Sequence, residues 1–450
     1  MSYLFESSLI ILLLGFIFLA IKNFNFAFYL LIALLPTYLI RFSLFGLPLT
    51  LWECLLLILT AVYLLPRNPA APERLGFRAL RPKKTKLNLP LSIIWPALLL
   101  IISATISLYF APDLRTGLGW LKAFFLEPLI FLGLVSAVVK QENFWPRIIR
   151  ALGFPVLAIA IFGAYQYLTG DLIPNAFWAN ESTRRITTFF GYPNANALFV
   201  GPIICLTVAN LWFDFKKGIK KNLGWFIFDL LVIIGGLAVI YWAKSTGAIV
   251  AILGALLIAL LFIKRVRPYL LGLILCGATA IAVLPVSKNY LSARIVEISA
   301  THLPLNASSL HMRVQQWRET IDLLKTTPYF GAGLAGYQTA VIPFHQNSHV
   351  EIFLFPHNFF LNFWVHTGAL GLLAILWLLI TAIILWFKNH LSVLKHPEIK
   401  VLNIVAGLAL LEILIHGLVD VPYFKNDLAP LFLLVIGLIS SLNFLNKNKS

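Results

Sequence analysis

Charge is what this chain has least of. Charged residues fill 12% of its 450 positions, against 60% hydrophobic ones. That is too little to coat a water-soluble protein of this length, so a soluble globular fold is excluded. Cysteine is nearly absent as well. Cys54, Cys205 and Cys276 all fall inside apolar runs, where a thiol serves as a small buried hydrophobe. The polar segments hold none, so no disulfide staples them. Leu4–Ile21 lacks a basic leader and a small-residue cleavage site, and it reads as a retained helix. Without low-complexity tracts or short repeats, residues 1–450 read as a single integral membrane domain.

What the chain does have is apolar length. Runs of about 17–22 residues recur, the span of a bilayer's hydrocarbon core. They lie near 4–21, 26–40, 45–65, 91–110, 118–139, 151–168, 194–213, 225–243, 247–263, 269–286, 359–387, 401–419 and 428–444. The fold class expected is all-α, a polytopic transmembrane bundle of about 12–13 spans. The run 359–387 is too long for one upright crossing.

Net charge is +17, but the cations are sorted. They gather in the basic stretch 66–90 and around Lys140/Arg147/Arg150, Lys216/Lys217/Lys220/Lys221, Lys264/Arg265/Arg267 and Lys388/Lys395/Lys400. Positive-inside sorting puts these loops in the cytoplasm beside anionic lipid. They therefore mark topology, and no nucleic acid is implied. Segments 169–193, 287–358 and 420–427 then face outward. The C-terminus is inside, and an odd span count leaves the N-terminus outside.

The large external loop, 287–358, has its own pattern. Leu310, Val314, Trp317, Ile321 and Leu324 repeat at helical spacing, which predicts a helix over about 309–326. Ser308 or Ser309 can cap it and Pro328 stops it. Such a helix can lie on the bilayer or the bundle top. Arg313, beside the stripe, can instead point at a ligand. Gly331, Gly333 and Gly336 mark a tight connection whose N–H groups can face an anion. No P-loop pattern accompanies them.

Several residues can carry chemistry. Arg184 and Arg185 stand in an outward loop that disfavours arginine, and a guanidinium fork suits phosphate. Arg115, Lys244, Arg294 and Arg313 are further cations for the same face. Lys244 sits in a short turn, Lys244–Gly247, where it can also simply snorkel. Pro356 favours a helix start after His357. The positive end of that helix favours a neutral imidazole, the form a general base needs. Asn358 can bind a sugar hydroxyl or orient the ring. Gly368 and Gly371 allow a bend or a close approach. Asp420 can orient a histidine or hold an acceptor hydroxyl, unless it is a solvated loop acid. Glu127 and Glu412 are costly in lipid and should face the bundle interior. His345, His349, Glu351 and His357 lack the spacing of a metal site, and none is expected.

The pattern His357-Asn358, nine residues, then Gly368-x-x-Gly371 resembles the signature of bacterial O-antigen ligases and Wzy-type O-antigen polymerases. Arg313–Trp317–Pro328–Gly331–Gly333 and Arg185–Gly191–Asn194–Asn196 are similar to further segments of that superfamily. The resemblance implies a metal- and cofactor-free membrane glycosyltransferase in the cytoplasmic (inner) membrane of a bacterium, with its site facing outward. Its donor would be a glycan on undecaprenyl pyrophosphate. Its acceptor would be a glycan, lipid or protein. His357 matches the histidine held to activate the acceptor, and Arg185 and Arg313 match arginines held to bind pyrophosphate. Asn358, Arg184, Lys244, Asp420 and Asn194 would line the substrates. The Ser-Arg-Gly common in the superfamily is Ser245-Thr246-Gly247 here. A flippase for lipid-linked glycans and a non-catalytic assembly partner are the alternatives.

Overall fold

The computed structural model describes residues 2–44, 46–65, 89–139, 144–262, 265–283, 309–346, 350–391 and 396–448. Residues 66–88 of the basic stretch, 287–308 of the external insertion with Arg294, and His349 lie outside them.

Every apolar run contains helix. In chain order these are α1 (Ser2–Lys22), α2 (Phe24–Ala33), α3 (Leu51–Leu64), α4 (Leu91–Ser107), α5 (Leu114–Trp120), α6 (Glu127–Val138), α7 (Phe144–Thr169), α8 (Ala176–Ala179), α9 (Pro193–Lys217), α10 (Leu223–Trp242), α11 (Thr246–Leu260), α12 (Arg267–Val283), α13 (Ser309–Thr326), α14 (Tyr337–Ala340), α15 (Phe359–Leu391), α16 (Pro397–Gly417) and α17 (Leu428–Asn448). Only α8, α13 and α14 fall outside the apolar runs. Among the described residues, seven helical stretches are long and apolar enough to cross a membrane, and five more are apolar but shorter. A π-helical turn, Leu121–Leu126, joins α5 to α6 in one such stretch.

The chain between α2 and α3 is not all helix, as the second and third apolar runs had suggested. A 3-10 turn, Leu35–Leu39, is followed by a hairpin, β1 (Arg41–Leu44) paired antiparallel with β2 (Leu47–Thr50). Thr50 then opens α3 with a capping box. Its hydroxyl accepts from Glu53 N, and the Glu53 carboxylate accepts from Thr50 N. Lys122 of the π turn pairs with Glu53 at 2.8 Å and ties the start of α3 to the α5–α6 stretch.

The core lies around α9, α16 and α17. From Leu431 to Val435 every side chain of α17 is at most 1% exposed. A helix apolar all round belongs inside the bundle, and this one is there. Outward-facing Ile234, Leu253 and Leu273 remain exposed, as a lipid-facing surface requires. At the basic end of the bundle Arg150 bridges Asp214 of α9 (2.6 Å) and Asp229 of α10 (3.1 Å). Glu127 and Glu412 are both buried, as intramembrane acids should be.

The external helix α13 turns a largely polar face inward. His311, Gln315, Gln316, Glu319 and Thr320 are buried with Leu323 and Leu324, while Leu310 and Ile321 of the apolar stripe are exposed. The cause is a polar partner: His345 Nδ1 stands 3.1 Å from Glu319 Oε2.

The glycines of residues 328–336 pack rather than cradle an anion. Helix α15 breaks at Gly368 (φ 69°, ψ −177°). Unbroken, Ala369 N would donate to Val365 O. Instead Ala332 N donates to Val365 O (2.7 Å), and Ala369 N donates to Tyr329 O (2.9 Å). The external segment thus supplies the rung that the helix lost. The approach is too close for side chains. A Cβ on Gly331 would stand 2.4 Å from Val365 O, and one on Gly368 2.3 Å from Tyr329 O.

Both glycines also have positive φ. Gly331→Ala and Gly368→Ala should therefore each cost about 2–3 kcal/mol. Gly133→Ala, in open space within α6, should be neutral or gain up to about 1 kcal/mol. Thermal unfolding in detergent measures all three.

Candidate active site

Chain direction sets the site at one end of the bundle. The start of α9, the end of α10, the start of α15 and the end of α16 meet there. The α10–α11 turn and the external helix α13 join them.

Asp420, two residues past the cap of α16, is the hub. It is 5% exposed, yet all its bonding capacity is used. Its Oδ1 accepts from Val421 N at 2.9 Å and lies 3.1 Å from His357 Nδ1. Its Oδ2 accepts from Asn194 Nδ2 at 3.0 Å and stands 3.6 Å from an Arg313 terminal nitrogen. Burial would raise this carboxyl's pKa. Charge and hydrogen bonding from His357, with charge from Arg313, outweigh burial and hold it well below the usual carboxylate range. Asp420 was expected to orient a histidine or to hold an acceptor hydroxyl, and it stands against His357. Its oxygens are engaged by protein groups.

Asn194 relays the hub to a second arginine. Its Oδ1 accepts from Arg185 at 3.0 Å while its Nδ2 donates to Asp420. An amide is the side chain that can face a cation with one atom and an anion with the other. Arg185 Nε also donates to Ala243 O, at 2.8 Å. Burial, followed by repulsion from Arg313, lowers the affinity of Arg185 for its proton. The two guanidinium groups therefore share one electrostatic neighbourhood. Gln166 fixes the strand that carries Arg185: its Oε1 accepts from Thr187 N (2.9 Å) and Thr188 N (2.7 Å).

His357 sits on the left-handed side of backbone space, at φ 46°. Trp317 of α13 donates its indole N–H to the His357 carbonyl at 3.2 Å and holds that conformation. The Phe353 ring lies edge-on to the imidazole, centroids 5.3 Å apart. Asp420 engages Nδ1 and so sets the orientation of the ring.

Other expected residues take other duties. Asn358 is the cap of α15: its Oδ1 accepts from Phe360 N and Leu361 N, each at 3.0 Å, and its Nδ2 donates to Leu418 O. The helix start is thus capped by Asn358 and is not open to an anion. Arg184 turns into its own loop, donating to Tyr167 O (2.9 Å) and Ala179 O (3.2 Å). Lys244 is exposed, at φ 49°, in the turn whose Ala243 carbonyl anchors Arg185. Arg115 is exposed at the start of α5. His416 pairs with Glu412, at 3.2 Å, not with Asp420. Trp317 and Phe353 were missed as site residues. The indole of Trp317 was legible only as part of an apolar stripe, because nothing in the spacing tells which ring faces the histidine.

Residues 230–376 match the family model described as O-antigen ligase. Over this segment, about a third of its length, the chain is similar to the O-antigen ligase family. The matched segment takes in Lys244, Arg313, His357 and Asn358. Arg184, Arg185, Asn194 and Asp420 lie outside it; Arg185 and Asp420 reach it through the contacts above and Asn194 through Asp420, while Arg184 does not. A protein of Haemophilus influenzae described as uncharacterized is 27% identical over 133 residues, 28% of this chain and 33% of that protein. The chain thus matches about a third of that relative's length.

Removing the hub's charge leaves Arg313 and Arg185 uncompensated. Asp420→Asn should cost about 3–5 kcal/mol, as loss of one partner of a buried pair does. The pH dependence has a definite sign. A depressed folded pKa contributes stability that is full above the unfolded value, about pH 4, and is lost as pH falls through the folded one. The gap in thermal midpoint between wild type and Asp420→Asn should stay level from pH 8 to 5 and shrink below about pH 4.

Proposed function

We propose that this protein is a membrane glycosyltransferase of the O-antigen ligase superfamily. It moves a glycan from undecaprenyl pyrophosphate to an acceptor hydroxyl, as a ligase or a polymerase, on the outer face of the cytoplasmic membrane. The observation that carries the reading is the convergence of His357, Arg313 and Asn194, with Arg185 behind it, on the Asp420 carboxylate.

The chemistry follows from the parts. The acceptor O–H hydrogen-bonds to His357 Nε2. As the oxygen attacks the anomeric carbon, its proton passes to Nε2. Asp420 stabilises the imidazolium that forms and keeps the ring in the tautomer with Nδ1 protonated. The bond from the anomeric carbon to the diphosphate oxygen breaks, and that electron pair leaves on the diphosphate. Arg313 and Arg185 meet the growing negative charge. Fixed donors of this kind are typically worth a few kcal/mol each. Arg313 Nε is buried with no hydrogen-bond partner among the described residues, so it has a donor to give. Lys244 adds a cation at the rim. The products are the glycosylated acceptor, undecaprenyl pyrophosphate and the proton held on His357, which solvent then takes.

Purified protein with a lipid-linked glycan donor and its acceptor tests the reading. His357→Ala should slow transfer by about 10²–10⁴-fold. Arg313→Gln should slow it by about 10²–10³-fold. Both are judged at equal protein level and thermal midpoint. In the native host, surface glycan attachment should fall with His357→Ala. Transfer unchanged by that substitution would refute the role.

A further inference from the structure

One flank of the bundle carries a groove that the transfer chemistry does not use, reaching from the basic end up to Phe189. It runs between α2, α7 and the turn from α9 to α10, with a volume of about 910 Å³. Its walls are apolar, with Phe26, Leu30 and Ala33 from α2 and Phe154 and Ala158 from α7. It exists because α2 stops after 10 residues, at a 3-10 turn holding Pro36, and so does not fill the depth beside the 26-residue α7. Phe26 and Phe154 are about half exposed at its edge.

One end is cationic. Arg147, Arg150 and Lys217 line it against a single carboxylate, Asp214. Arg150 is engaged by Asp214 and Asp229, and its guanidinium stacks 4.8 Å from the Trp225 ring. Arg147 and Lys217 are exposed and leave a net positive mouth. Asn194 and Lys217 lie at opposite ends of α9, so this mouth opens on the membrane face away from His357.

We propose that the groove binds one anionic phospholipid from the leaflet on the basic side. Its phosphate sits at Arg147 and Lys217, and one acyl chain lies along α2 and α7. Depth supports this occupant. From Pro146 to Ala158 the groove follows α7 for about 18 Å, at 1.5 Å per residue. The hydrocarbon of one leaflet is about 15 Å, half the bilayer core. A polyprenyl diphosphate held at the His357 site would have its charge at the wrong end.

Native mass spectrometry of the full chain tests the proposal. The probes are phosphatidylglycerol and phosphatidylcholine with identical acyl chains, and undecaprenyl phosphate. Wild type should retain one phosphatidylglycerol at roughly 25-fold lower concentration than phosphatidylcholine, since each of the two cations adds about fivefold for anionic lipid. Arg147→Gln with Lys217→Gln should erase that preference and leave weak, equal binding of both lipids. Ala158→Trp, which fills the groove, should abolish both. Equal retention of the two phospholipids by wild type would overturn the proposal. So would phosphatidylglycerol binding unchanged in the variants, or displacement of phosphatidylglycerol by undecaprenyl phosphate. The readout is lipid occupancy, so it stands or falls apart from glycan transfer.

Discussion

A buried carboxylate surrounded by cations is the constraint on which this site depends. Two arginines and a histidine would repel one another at the bundle end, and burial would make the repulsion worse. Asp420 removes the conflict. It draws Arg313 and His357 to itself directly and draws Arg185 through the amide of Asn194. Each partner comes from a different element, so one carboxylate also sets the spacing of α9, α13, α15 and the loop after α16. The cost of desolvating it is offset by the pairing, which is why its carboxyl remains ionised. A site arranged this way has its positive field in place before any substrate arrives.

The same arrangement divides labour among residues that look alike in the sequence. Arg184 and Arg185 are neighbours in the chain. Arg184 closes its own loop on backbone carbonyls, while Arg185 reaches across to the α10–α11 turn and to Asn194. Asn358 and Asn194 are both asparagines beside a helix start. Asn358 caps α15 and Asn194 connects charges.

Much of the fold was legible because lipid enforces a single rule. Every backbone polar group must be satisfied within its own segment, so each long apolar run has to become helix. The hairpin Arg41–Thr50 escaped that rule because it ends an apolar run with polar and turn residues, and run length alone does not mark the change. The orientation of α13 was not legible either. Its apolar stripe suggested one inward face, but Glu319 found His345, an imidazole 26 positions on, and that pairing turned a polar face inward. At the site, residue type and position drew attention to His357, Arg185, Arg313 and Asp420, and Asn194 came only with the family resemblance. Their connectivity was not readable, because Asp420 lies 226 positions from Asn194 and no local pattern encodes a contact so remote.

The break at Gly368 binds the outer insertion to the membrane bundle in an unusual way. The carbonyl of Val365 and the amide of Ala369, which would otherwise satisfy each other, are completed by peptide groups of Ala332 and Tyr329. The long helix is therefore not self-sufficient in lipid until the preceding extramembrane stretch is seated on it. That stretch precedes the span in the chain, so synthesis delivers the clasp before the helix that it completes. The histidine lies just upstream of the same span, so its register is inherited from how well the clasp has closed.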